Sequence, residues 1–164
     1  MKALVVYDSQ YGNTEQVAKI IASSLDKYGL KTVKVIHVSK AKAPELKGVK
    51  VLVVGSPTQR WAPTEAMQAF LENLPDLEGV SATAFDTRFK GPWFLTGSAA
   101  RTIIKKLEQK GAYILEPPHS FFVKAVEGPL DQWEIPHIES WAAVIADKQA
   151  EREALEKKLK EERA

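Results

Sequence analysis

A chain of 164 residues, 45% of them hydrophobic, can enclose the core of one domain, and a net charge of +2 is too small to indicate nucleic acid or a membrane surface as partner. The absence of cysteine excludes disulfides, thiolate metal sites, iron–sulfur clusters and a cysteine nucleophile together. No apolar run approaches the length of a membrane span and no secretory pattern opens the chain, so a soluble cytoplasmic protein is the expectation.

Lys2–Tyr7 reads as a strand buried on both faces, because its apolar run is continuous rather than alternating. Thr14–Tyr28 carries Val17, Ala18, Ile20, Ile21, Ala22 and Leu25 at helical spacing, with Gly29 placed as a carboxyl-terminal cap. Thr32–Val38 is β-branched and reads as a second strand, and Pro44–Lys47 suits a short helical turn. Val49–Val54 is the most apolar strand. Pro63 after it suits the first turn of a helix reaching Leu74, with Met67, Phe70, Leu71 and Leu74 inward.

Val80–Phe85 gives a fourth strand, and Ser98–Lys110 a helix ended by Gly111. Ala112–Leu115 starts a fifth strand that Glu116-Pro117-Pro118 interrupts and Ser120–Val123 resumes. The last helix is expected after Pro136. Strands alternating with helices imply a doubly wound α/β fold: a five-stranded parallel sheet in the order 2-1-3-4-5 with helices on both faces. Residues 1–146 read as this domain and 147–164 as a charged helical extension. In the extension Glu153/Lys157 and Glu156/Lys160 support an exposed helix, and Leu155 and Leu159 are its large apolar residues. It is either a solvated extension or a helix that docks on a second copy.

The strand order places a ligand outside the carboxyl ends of the first and third strands. Three loops lie there, residues 8–14, 56–63 and 86–97. The first has hydroxyls at Ser9 and Thr14, an amide at Asn13, a glycine at Gly12 and no cation. Between a strand and a helix, such a loop offers backbone N–H groups and the helix dipole to a phosphate. It equally suits an ordinary turn with Thr14 as helix cap. The second and third loops add Trp61, Phe89, Trp93 and Phe94. A planar aromatic ligand with a phosphate tail satisfies all three.

Other chemistry is set aside. Neither a nucleotide P-loop nor a dinucleotide fingerprint occurs, and a phosphoacceptor Asp does not end the third strand, where Gly55-Ser56 stands. His37, His119 and His137 fall on separate elements without metal-ligand spacing.

Over residues 2–146 the chain resembles the flavodoxin-like FMN-binding proteins. The likeness rests on Ser9-Gln10-Tyr11-Gly12-Asn13-Thr14, on Gly55-Ser56-Pro57-Thr58 with Trp61, and on Phe85-Asp86-Thr87-Arg88 leading to Gly97-Ser98-Ala99-Ala100. The resemblance implies FMN as cofactor. Its phosphate would lie on Ser9, Gln10, Tyr11, Gly12, Asn13 and Thr14. Its ring would lie between Pro57, Thr58, Gln59, Arg60 and Trp61 on one side and Thr87, Arg88 and either Phe89 or Trp93 on the other. Trp61 is the expected stacking partner. No catalytic side chain and no metal is implied.

Two departures from acidic electron carriers of this family bear on function. The chain is mildly basic and sets Arg60, Arg88 and Lys90 beside the expected ring, which would stabilise a reduced, anionic flavin. Ala62, followed by Pro63, also lacks the freedom that glycine gives the corresponding loop peptide. Both departures point toward a flavoprotein oxidoreductase that passes a hydride between NAD(P)H and a quinone-like acceptor. The resemblance as a whole makes an FMN-binding flavodoxin-like protein in electron transfer the leading expectation, with a redox protein or a small acceptor such as a quinone as partner. An NAD(P)H-dependent quinone or flavin reductase on the same fold is the alternative, as is a non-catalytic interaction module with a vacant flavin site. A homodimer fits either.

Overall fold

The computed structural model describes residues 2–164, Trp93 through its backbone alone. Its strands are β1 (Lys2–Tyr7), β2 (Val33–His37), β3 (Val49–Pro57), β4 (Ser81–Phe89), β5 (Tyr113–Ile114) and β6 (His119–Val123). Its helices are α1 (Asn13–Lys27), α2 (Ala43–Leu46), α3 (Glu65–Glu72), α4 (Trp93–Thr96), α5 (Ala99–Gln109) and α6 (Glu134–Arg163). The sheet is parallel in the order β2-β1-β3-β4-β5, with β6 also paired to β4. This is the doubly wound flavodoxin-like architecture expected from the sequence.

Alternate residues of the central strands enter two separate cores. Ala3, Val5, Val51 and Val53 pack with α1 and α6, whereas Leu4, Val6, Leu52 and Val54 pack with α3 and α5. Both faces of β1 and β3 are therefore covered, which is why their sequence is uniformly apolar. On the α6 side His119 lies among aromatic rings, 4.7 Å from Phe121 and 5.7 Å from Trp141 between centroids. Burial there lowers its pKa.

Four boundaries differ from the sequence reading. First, β3 and β4 run on to Pro57 and Phe89. Pairing along its far side explains the length of β4: β5 pairs with Ser81 and Ala82, and after the break at Pro117-Pro118, β6 pairs with Phe85–Phe89. Second, Pro63 precedes α3 instead of opening it, because Thr64 is the cap and its hydroxyl accepts from the Met67 amide. Third, α4 forms within the third loop. Fourth, α6 begins before Pro136, in the first turn, where a missing N–H costs nothing. It continues without interruption through the charged segment. Gln149 is buried on it, and Arg152 donates to Ser81 Oγ at 2.6 Å.

Among the described residues no helix is long and apolar enough to cross a membrane.

Candidate functional site

The carboxyl ends of β1, β3 and β4 open into one cleft. Ser9, Gln10, Tyr11, Asn13 and Thr14 line it from the first loop, Pro57, Thr58 and Gln59 from the second, and Thr87, Arg88 and Phe89 from the end of β4. The remaining expected site residues lie outside that lining. Gly12 supplies backbone at the start of α1, and Arg60 and Trp61 form the tip of the second loop. The side chain of Trp93 lies outside the described residues.

Three residues of the lining were not anticipated: Thr96, Val123 and Val126. Val123 ends β6 and Val126 follows it; the sequence reads Ser120–Val123 as strand, so applying the rule that ligands gather at strand carboxyl ends to that strand would have found them.

The first loop is held from inside. Asp8 Oδ1 accepts from the Ser9 amide at 2.8 Å, and Ser9 Oγ accepts from the Gly12 amide at 3.0 Å. Asp8 also takes the Thr64 hydroxyl at 2.5 Å on its other oxygen and lies 3.1 Å from His37 Nε2. One carboxylate thus ties the first loop to β2 and to the start of α3.

Gly12 is the N-cap of α1, with φ 90°, a conformation that costs a side-chain-bearing residue about 1–2 kcal/mol. Gly12 has no side chain with which to cap α1, and among the described residues no other side chain accepts from its first amides. The first bond inside the helix is Gln16 N–H to Gly12 O, so the amides of Asn13, Thr14 and Glu15 have no acceptor within the helix.

Beside this open end, the hydroxyls of Thr14 and Thr87 are bonded to each other at 2.8 Å, both buried. Two hydroxyls carry two hydrogens, and the mutual bond uses one. The other O–H can donate to a ligand.

The second and third loops are fastened to the first and to each other. Gln59 Nε2 donates to Gln10 Oε1 at 2.6 Å, and Thr58 Oγ1 accepts the Ala99 amide at 3.0 Å. Gln59 and Ala62 exchange both backbone bonds, so Arg60 and Trp61 occupy a two-residue turn with φ 47° and 65°. Positive φ at both positions is the type I′ pattern, normally filled by Asn and Gly. The Trp61 indole N–H donates to Leu95 O at 2.8 Å, and a Cβ on Gly97 would stand 2.2 Å from its ring.

Arg88 is the cation of the cleft, and it also builds the third loop. Its guanidinium donates to Ser120 Oγ, Gly91 O and Thr96 Oγ1 at 2.7–2.9 Å and stacks on Phe122 at 5.2 Å. Below it the fully buried Asp86 carboxylate takes the Ser98 hydroxyl at 2.5 Å and the Ala100 amide at 3.0 Å. That closes the amino end of α5.

A family model described as flavodoxin matches residues 5–160. The chain belongs to the flavodoxin family. A flavodoxin of Aquifex aeolicus (strain VF5) is 29% identical over 97 residues, covering 56% of this chain and 51% of the relative; the chain thus matches about half of that relative's length. Among solved structures, a flavodoxin from the domain Archaea aligns with a TM-score of 0.78 at 24% identity, over 92% of this chain and 99% of its own. Flavodoxin 2 of Bacillus cereus gives 0.76 at 25% identity, over 90% and 99%. Rubredoxin oxygen:oxidoreductase of Desulfovibrio gigas gives 0.76 at 22% identity, over 93% of this chain and 37% of that longer one.

FMN is the cofactor that this membership implies, and the residues present fit it. A phosphate dianion needs several donors. The uncapped amides of α1 and the spare hydroxyl hydrogen of the Thr14–Thr87 pair would supply them without a cation in the loop.

Proposed function

We propose that the cleft holds FMN for electron transfer, with the phosphate at the amino end of α1. The observation that carries this reading is the open end of α1 facing buried hydroxyls that have a hydrogen to give. In this reading Ser9–Thr14 bind the phosphate through amides and hydroxyls, as the dipole of a fifteen-residue helix favours an anion at that end. Thr58, Gln59, Thr87, Arg88 and Phe89 position the ring. Trp61 is the aromatic of the second loop and Phe89 or Trp93 that of the third. FMN, when bound, supplies the reversible uptake of electrons; the protein supplies position and electrostatics.

Arg88 lines the cleft at a position fixed by its loop partners, so its charge acts from a constant place. This supports a two-electron potential less negative than that of an acidic flavodoxin, which a redox titration reads directly. An equally low potential would remove Arg88 from the account.

The test of the function is the visible spectrum of the purified protein before and after adding FMN, then NADPH, then dithionite. Flavin bands that bleach with dithionite and not with NADPH support a carrier. Direct bleaching by NADPH would make the protein a reductase. Absence of flavin bands after FMN addition would overturn the reading.

A further inference from the structure

Trp61, Phe94 and Leu95 are exposed by 65%, 69% and 65%, although they lie together at the edge of the cleft. The Trp61 indole is fixed to the Leu95 carbonyl, and Trp61 and Phe94 line one groove that follows α5 past Arg101 and Lys105. Folding does not require this exposure. The turn that presents Trp61 carries two residues at positive φ, a conformation that persists where surrounding structure and function hold it.

The charge on this face is one-sided. From Thr87 to Leu107 the sequence has Arg88, Lys90, Arg101, Lys105 and Lys106 and no Asp or Glu, and from Ser56 to Thr64 it has Arg60 and no Asp or Glu. With 21 acidic residues in the chain, their absence from both loops and most of α5 is segregation. Arg88 is largely buried within its loop and Lys106 is half-buried beside Glu72. Arg60, Lys90, Arg101 and Lys105 are exposed, and Glu108 is the carboxylate at the groove's far end.

We propose that this face docks an acidic electron-carrier protein, with Trp61, Phe94 and Leu95 as the apolar anchor and Arg60, Lys90, Arg101 and Lys105 as the charged rim. The inference rests on the electron-transfer reading of the adjoining cleft. Aromatic side chains ringed by cations are the composition of an interface centre, and a rim of one sign steers a partner of the other. A small patch suits the brief encounters of redox partners, whose interfaces are the smallest of specific complexes. A second copy docked symmetrically would set these cations against one another.

Calorimetric titration of the protein, with and without FMN, tests the inference. The probes are an acidic rubredoxin, an acidic ferredoxin and, as the opposite charge, a basic cytochrome c, each at roughly 20 and 200 mM salt. At least one acidic carrier should bind at low salt and weaken about tenfold or more at high salt. Arg101→Glu with Lys105→Glu should weaken that binding by about tenfold or more while FMN uptake, read by absorbance, and Tm stay unchanged. Binding of cytochrome c alone, of neither acidic carrier, or unchanged binding in the double variant would overturn the proposal. So would a dimer, seen by sedimentation, that the double variant disrupts. Because heat reports docking and absorbance reports FMN, a chain that takes no flavin refutes the electron-transfer reading separately.

Discussion

Two helices start at the same edge of the sheet, and their amino ends are treated in opposite ways. At α5 the first amides are consumed: Ala99 N–H goes to Thr58 Oγ1 and Ala100 N–H to the buried Asp86 carboxylate. At α1 the cap is a glycine and no side chain accepts. The closed end fixes the second and third loops in place. The open end leaves donors for something outside the chain. Charge and hydrogen bonding are equivalent at the two termini by the physics of helices, so the difference lies in where each aspartate is engaged. Asp86 takes the Ala100 amide of α5, whereas Asp8 is held by the Ser9 amide, Thr64 and His37.

The comparison breaks most visibly at Asp86. Asp86→Ala removes the cap of α5 and the carboxylate 3.8 Å from Arg88 Nε, inside a fully buried site. Loss of one partner from a buried charged pair costs about 3–5 kcal/mol, which urea denaturation should show as a lower midpoint. At α1 the effect should fall on affinity instead. Thr14→Val deletes one hydroxyl of the Thr14–Thr87 pair and should weaken FMN binding about tenfold, read by flavin titration, with a smaller loss of stability than Asp86→Ala.

A smaller effect sharpens the account of the second loop. Arg60→Asn places at φ 47° a residue that tolerates the left-handed region. Stability should rise by about 0.5–1 kcal/mol if the turn is strained as its dihedral angles indicate. A fall in the denaturation midpoint would show that Arg60 makes contacts that outweigh the strain.

The smallest effect expected is a dependence on pH. His119 meets Phe121 and Trp141, with Glu134 and His137 of α6, Asp86 of β4 and Glu116 also acting on it. Burial is the largest influence and depresses its folded-state pKa. The unfolded chain therefore takes up a proton near pH 6.5 that the folded chain does not, so stability falls as pH drops through about 6.5. The Tm of His119→Gln should change less between about pH 7 and 5.5 than that of the parent chain.

The alternation of elements was legible because it is written in local pattern: apolar runs for strands covered on both faces, helical spacing for α1, α3 and α5. The three loops were legible for the same reason, since a change from Val and Leu to Ser, Gly and Asn marks the end of a strand. Asp86 was visible as a residue but not as the cap of α5, because its partners are Ser98 and Ala100 and the bend between them is tertiary. The same holds for Asp8, whose partners His37 and Thr64 come from other elements.

The start of α6 was missed for a different reason. Pro136 drew the boundary, whereas Trp133 is the N-cap and Asp131 Oδ1 accepts its amide, so the turn that starts the helix precedes the proline. In the second loop the pair Arg60-Trp61 carries no turn signature, so the type I′ geometry emerges only from the bonds between Gln59 and Ala62.

The central claim is that the open end of α1 holds a phosphate. Titrating the protein with FMN and with riboflavin, which lacks the phosphate, tests it most directly. Two charge-assisted hydrogen bonds at about 1.5 kcal/mol each predict FMN bound at least about 100-fold more tightly. Equal affinities for the two flavins would contradict the assignment of the α1 amides to a ligand.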